Sequence, residues 1–233
     1  MECTDCGAVY PVLGGVPVLV PSPEDWCATY QDAALATLAE YGRADEASVQ
    51  TLLALAKRGH GEPMRFGDDW VDGSCDPPGD APATQHLRAL LDSAEGPHAL
   101  LRSWCEGHGR VFELGPGSGI ETASLEDRVV GDLSLRAVMK SGVPGVVCDA
   151  HALSANAEVL LAANVFDLLE EPHRLFAAAP DRVALCTPEP SGLHEVLRDC
   201  GYRILETADT PWLRVHDDRY VQVYVAHCVL AQR

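Results

Sequence analysis

Residues 110–122, RVFELGPGSGIET, run from an apolar stretch through a knot of glycine and proline toward a helical pattern. Glycine lets a chain turn with positive φ and lets its backbone approach another group closely, so this stretch is expected to link a strand to a helix beside a ligand. It matches neither of the two best-known phosphate loops. No lysine follows Gly119, as a Walker A loop requires, and Ile120 stands where a dinucleotide fingerprint needs its third glycine.

The text around this turn predicts an α/β fold. From Arg110 onward the short apolar runs RVFEL, RVVG, GVVC, EVLLAANV, RVALC, YRIL and YVQVYVAHCVLA alternate with helical pieces. The first five suit a mostly parallel sheet. The last two, joined by ETADTPWLRVHDDR, read as an antiparallel closing pair. The expected architecture is a Rossmann-like, doubly wound, seven-stranded sheet whose last strand is antiparallel. Residues 1–23 form two apolar runs around Gly14-Gly15 and are expected to be a small β module. Residues 24–104 carry helical periodicity in DAALATLAEYG, EASVQTLLALAKRG and TQHLRALLDSAEGPHALLRSWC, and by their position are expected to form a helical, substrate-covering cap. Within them GEPMRFGDDWVDGSCDPPGDAPA is too rich in Gly, Pro and Asp for a helix and reads as a surface loop or lid. Residues 105–233 make the ligand-binding domain.

Composition narrows the function. The chain has 233 residues, 47% of them hydrophobic, a net charge of −18 and a pI near 4.7. Such a charge opposes binding to a phosphate backbone, so no nucleic-acid partner is expected outside a local basic patch, and with no uninterrupted apolar run near eighteen residues no membrane partner is expected either. The N-terminus MECTDC lacks a basic region followed by an apolar one, which predicts a cytoplasmic protein. In that compartment the nine cysteines are read as thiols or metal ligands rather than disulfides. The nine histidines are scattered without an H-E-x-x-H pair, and no catalytic metal is expected.

An acidic residue, Leu, and then Gly115, Pro116, Gly117, Ser118 and Gly119 after a strand resembles the first motif of class I S-adenosylmethionine-dependent methyltransferases. The resemblance implies S-adenosylmethionine as cofactor, with the Glu113 carboxylate near its cationic methionine end and Gly115, Gly117, Ser118 and Gly119 around it. It further implies that Asp132, ending RVVGD, takes the ribose hydroxyls. Leu133 would pack on one face of the adenine, Ala150 would lie beside the ring, and Asp149 in CDAHAL would hold its amino group. Asn164, Asp167 and Pro172 in NVFDLLEEP are similar to the N-x-x-D-x-x-x-x-P segment of small-molecule methyltransferases of the mercaptohistidine type. There the Asn and Asp face the methyl-transfer centre. The alternative for Asn164 is a helix cap, with Asp167 in the first turn. The same subgroup carries a Ser-Pro-Tyr-like segment where this chain has CTPEP, so Thr187 and Glu189 are the substrate-contact candidates. His151 is a candidate base or a surface histidine at a helix start. Trp70, with Asp68 and Asp69, is a lid candidate or a loop anchor.

CTDCGAVYPVLGGVPVLVP is similar to the distal half of Trm112-like zinc-ribbon modules. Structural zinc wants four ligands, and only Cys3 and Cys6 are paired, with Cys27 and His60 the nearest reserves. A metal-free module is expected. The resemblance covers residues 105–233 well and 1–21 in part. It implies methyl transfer to N, O or S of a small-molecule or peptide acceptor, as in natural-product tailoring. The competing reading is a non-catalytic methyltransferase-fold subunit that stabilises another protein. A homodimer stays open.

Overall fold

The computed structural model describes residues 1–4, 7–61, 86–87, 96–117, 125–153, 156–215 and 221–233. Nine strands form a single sheet: β1 (Val12–Leu13), β2 (Val16–Leu19), β3 (Val111–Leu114), β4 (Arg128–Asp132), β5 (Gly145–Cys148), β6 (Val159–Ala163), β7 (Arg182–Thr187), β8 (Arg203–Val215) and β9 (Val221–Gln232). Their order is β1-β2-β5-β4-β3-β6-β7-β9-β8. The expected seven strands are present, with β9 antiparallel to both β7 and β8. The sheet nevertheless has nine strands rather than seven. Residues 12–19 form the expected hairpin, and its second strand pairs in parallel with β5 through Val18 to Val147 and Leu19 to Cys148. Leu13, Val16 and Val18, on one face of that hairpin, are thus buried by continuing the sheet.

The hairpin turn explains its own glycines. Gly14 and Gly15 have φ of 56° and 85°, the two positive values that a type I′ turn demands. The turn is clamped from outside, with the Gly14 N–H donated to Ser48 Oγ and Arg43 donating to the Gly14 carbonyl.

The central strand β3 is buried along its whole length, as expected of a parallel strand covered on both faces. On one face lie α1 (Pro23–Glu40), α2 (Glu46–Ala56), α3 (Gly96–Cys105) and α4 (Leu135–Lys140). They pack Leu38, Leu52, Leu101 and Val138 against Val18, Val130, Val159 and Leu161. On the other lie α5 (Pro172–Ala178) and α6 (Leu193–Asp199), whose Phe176 and Leu197 meet Phe112, Leu160 and Leu185. α1 starts earlier than its periodic core suggests. Ser22 caps it by accepting from the Asp25 N–H, and Pro23 occupies its first turn. The segment ETADTPWLRV, read from sequence as a connection, is strand: it forms most of β8, at the sheet edge, where Pro211 is tolerated. Among the described residues no helix is long and apolar enough to cross a membrane.

Candidate functional site

The chain leaves β3 to build β4 and β5 on one side, then returns to build β6 and β7 on the other. In such sheets the crevice outside the carboxyl ends, where the order reverses, is the natural ligand position. Here that point lies between β3 and β6, which pair from Val111 with Val159 to Leu114 with Ala162. The glycine turn follows β3, and Asn164 follows β6.

The two segments touch. Gly115 has a φ of 68°, and a Cβ there would stand 2.7 Å from Val165 Cγ2, so both backbone angle and space require glycine. Its N–H is donated to the Gly131 carbonyl of β4. Gly117 also has positive φ, 51°, but a Cβ there would meet nothing within 4 Å among the described residues. Ser118 and Gly119 lie outside the described residues, as do Trp70 and Cys6.

Three acidic side chains stand at or just past the carboxyl ends of adjacent strands. Glu113, on β3, is buried against Arg128, whose Nε lies 3.2 Å from Glu113 Oε2; the two side chains are 7% and 1% exposed. Sequence reasoning missed this partner. Asp132 ends β4 and folds back to accept from the Ser134 N–H at 2.8 Å, fixing the turn into α4. Leu133, the residue between them, offers its carbonyl to the indole N–H of Trp26 at 3.0 Å, so α1 braces this corner. Asp149 follows β5 and caps the 3-10 turn Ala150–Ala152 by accepting from the His151 N–H at 2.8 Å. Cys148 beside it is buried, and burial together with the Asp132 and Asp149 charges pushes its thiol well above the usual range. It is an inert filler rather than a nucleophile.

His151 is engaged at both ring nitrogens. Nδ1 lies 3.1 Å from Asp149 Oδ1, while Nε2 accepts the Glu171 N–H at 3.3 Å. A ring that accepts at Nε2 carries its proton at Nδ1, so the imidazole donates to Asp149 and ties it to the start of α5.

Beyond β6, Asn164 holds a φ of 57°, the one positive value outside glycine among the described residues. It caps no helix. The 3-10 turn Phe166–Leu168 begins after Val165, and the Asn164 backbone N–H is donated to the Cys186 carbonyl of β7. Its side-chain Nδ2 lies 3.5 Å from the Tyr224 hydroxyl, and its Oδ1 is shielded from water without a partner among the described residues. Asn164 thus combines a left-handed backbone with an unsatisfied side-chain acceptor at the switch point. Asp167 is exposed and lies 3.3 Å from the Thr187 hydroxyl; Thr187, fully buried, also accepts the Glu189 N–H at 3.2 Å. The Glu189 carboxylate accepts from Ser191, which holds its pKa below the ordinary value. Of the sequence-derived candidates the fold thus gathers Gly115, Gly117, Glu113, Asp132, Asp149, Asn164, Asp167 and Thr187 along one sheet edge. Glu189 points its charge into its own turn. Among the described residues no group of three or more potential ligands could hold a metal ion.

No protein-family model matches the chain, and no curated protein matches it. Solved structures do. A candidate RNA methyltransferase from Pyrococcus horikoshii superposes with a TM-score of 0.51 at 12% identity, covering 74% of this chain and 90% of its own. Magnesium protoporphyrin IX methyltransferase from Synechocystis, with bound S-adenosylhomocysteine, gives 0.46 at 17% identity over 64% and 84%. The N-methyltransferase NodS from Bradyrhizobium japonicum, also with S-adenosylhomocysteine, gives 0.45 at 13% over 66% and 89%. At 12% identity the first of these likenesses concerns fold alone: the chain has the α/β fold of that methyltransferase.

Proposed function

We propose that this chain is an S-adenosylmethionine-dependent methyltransferase acting on N, O or S of a small-molecule or peptide acceptor in the cytoplasm. The observation that carries the reading is the meeting of the glycine turn with the Asn164 segment at the switch point, flanked by carboxylates after β4 and β5. These residues fit the cofactor. Among the described residues nothing would meet a side chain at Gly117, which suits a ligand lying against the backbone, and Asp132 and Asp149 supply acceptors spaced one strand apart. Asp132 would take the ribose hydroxyls, Asp149 the adenine amino group and Leu133 and Ala150 the ring, while Glu113, paired with Arg128, would face the cationic methionine end through water. Bound there, S-adenosylmethionine would supply a sulfonium methyl for in-line displacement.

The chain's own work is alignment and proton handling. Asn164 orients the acceptor through its free carbonyl oxygen, and alignment can account for much of the rate when the donor is already activated. Asp167, exposed beside Thr187, takes the acceptor's proton where one must leave. His151 braces Asp149 and the start of α5. A net charge of −18 favours a small or peptide acceptor over nucleic acid. The Trm112-like character of residues 1–21 and the kinship with mercaptohistidine-type enzymes belong to the same proposal, resting on the motifs alone.

Calorimetric titration with S-adenosylmethionine tests the reading. A one-to-one complex is expected in the native chain, and Asp132→Ala should weaken it by about 10-fold or more, the loss expected for hydrogen bonds to a charged acceptor. Unchanged affinity with an unchanged melt would remove Asp132 from the site.

A further inference from the structure

β7 ends at Thr187, which pairs with His227 of β9, and His227 pairs with Asp209 of β8. Residues 210–215 and 221–226 therefore run past the end of β7 as a two-stranded arm over the carboxyl edge. At about 3.3 Å per residue the arm is roughly 20 Å long. Its flank on the α3 side carries Trp212 and Tyr224, directly paired, with ring centroids 5.5 Å apart and planes 35° from parallel. His98 of α3 meets the Trp212 ring at 4.8 Å and 83° and anchors it to the helix. Both aromatic residues are only half-buried. Tyr224 spans the end of β7, its hydroxyl reaching Asn164 at the end of β6. The contact is long, 3.5 Å, and engages only Nδ2, so the amide is loosely held and its carbonyl oxygen is left for an incoming donor.

We propose that Trp212 and Tyr224 form the acceptor wall of the site and select a flat aromatic acceptor carrying an N–H or O–H. The ring stacks on the arm, and its polar hydrogen meets Asn164 Oδ1. The inference rests on the methyltransferase reading for the identity of the site and adds the substrate class. Offset aromatic contacts favour a planar ring over a saturated one of equal size, which is how two half-exposed rings confer selectivity.

The test uses the full chain loaded with S-adenosylhomocysteine, with indole and cyclohexanol as probes, followed by saturation-transfer NMR and titration. Indole is expected to bind and cyclohexanol to give no signal. Trp212→Ala should weaken indole by about 10-fold, as removal of a stacking ring does. Tyr224→Phe, which keeps the ring, should keep indole stacking but alter the amide resonance of Asn164. S-Adenosylhomocysteine affinity, measured on the same samples, should be unchanged in both variants. If the native chain fails to bind S-adenosylhomocysteine, the cofactor reading falls. If it binds that ligand but takes indole and cyclohexanol alike, or Trp212→Ala keeps full indole affinity, the acceptor wall is wrong. Tyr224→Phe, with its fold undisturbed, decides the case should Trp212→Ala not fold: an unmoved Asn164 resonance overturns the proposal.

Discussion

Arg128 opens a strand as RVVG, a position that in sequence looks like a solvated start, yet its side chain is 1% exposed and paired with Glu113. A buried charge left without its partner is among the costliest single changes a fold can suffer. Arg128→Met should therefore destabilise the chain by about 3–5 kcal/mol, read as the shift of a urea transition. A loss under about 1 kcal/mol would mean that the pair is solvated and that Glu113 is free to serve the ligand directly. Glu113 itself was legible, because an acidic residue two before a glycine knot is a local pattern. Its partner was not, since the pairing arises only when β3 and β4 align Val111 with Arg128. Asn164 shows the same limit: its spacing to Asp167 could be read along the chain, but its left-handed backbone and its contact with Tyr224 come from distant strands.

At the level of elements, α1 does more than cover the sheet. Its Trp26 is 5% exposed and donates to the Leu133 carbonyl, the residue after the proposed ribose ligand. Trp26→Phe keeps most of the packing and removes the donor. S-Adenosylmethionine affinity should fall by about fivefold, equivalent to one ordinary hydrogen bond, in a titration of both proteins. An unaltered affinity would make α1 a passive cover. The β1–β2 hairpin was readable from its glycine pair and flanking valines. Its union with β5 was not, because parallel pairing across more than a hundred residues leaves no local mark. Likewise Pro211 argues against a strand in ETADTPWLRV, and only its edge position makes it a tolerable one.

Over the whole molecule, charge governs how stability depends on pH. His194 of α6 sits with its Nε2 2.9 Å from that of His227, and burial, then His227, then Arg198 hold its pKa below the ordinary value. The folded state thus prefers the neutral ring. Between the folded value and about 6.5 the unfolded chain binds more protons, so this contribution is present above about pH 6.5 and is lost as pH falls. Asp25 and Asp45, whose pKa values are lowered by hydrogen bonds from Ser22 and Ser48, add a second loss below about pH 4. Because a net charge of −18 changes over the same range, the difference between native and His194→Gln melts isolates the first effect. The native chain should lose more of its melting temperature than the variant between pH 7 and about pH 5.5. Parallel curves would mean that the histidine pair carries no linkage. The central claim, that the switch point between β3 and β6 holds S-adenosylmethionine, is tested most directly by a crystal structure with S-adenosylhomocysteine. The account predicts a ligand across the carboxyl ends of β3, β4 and β5, its ribose on Asp132 and its sulfur facing Asn164. A ligand bound elsewhere, or none at saturating concentration, would contradict it.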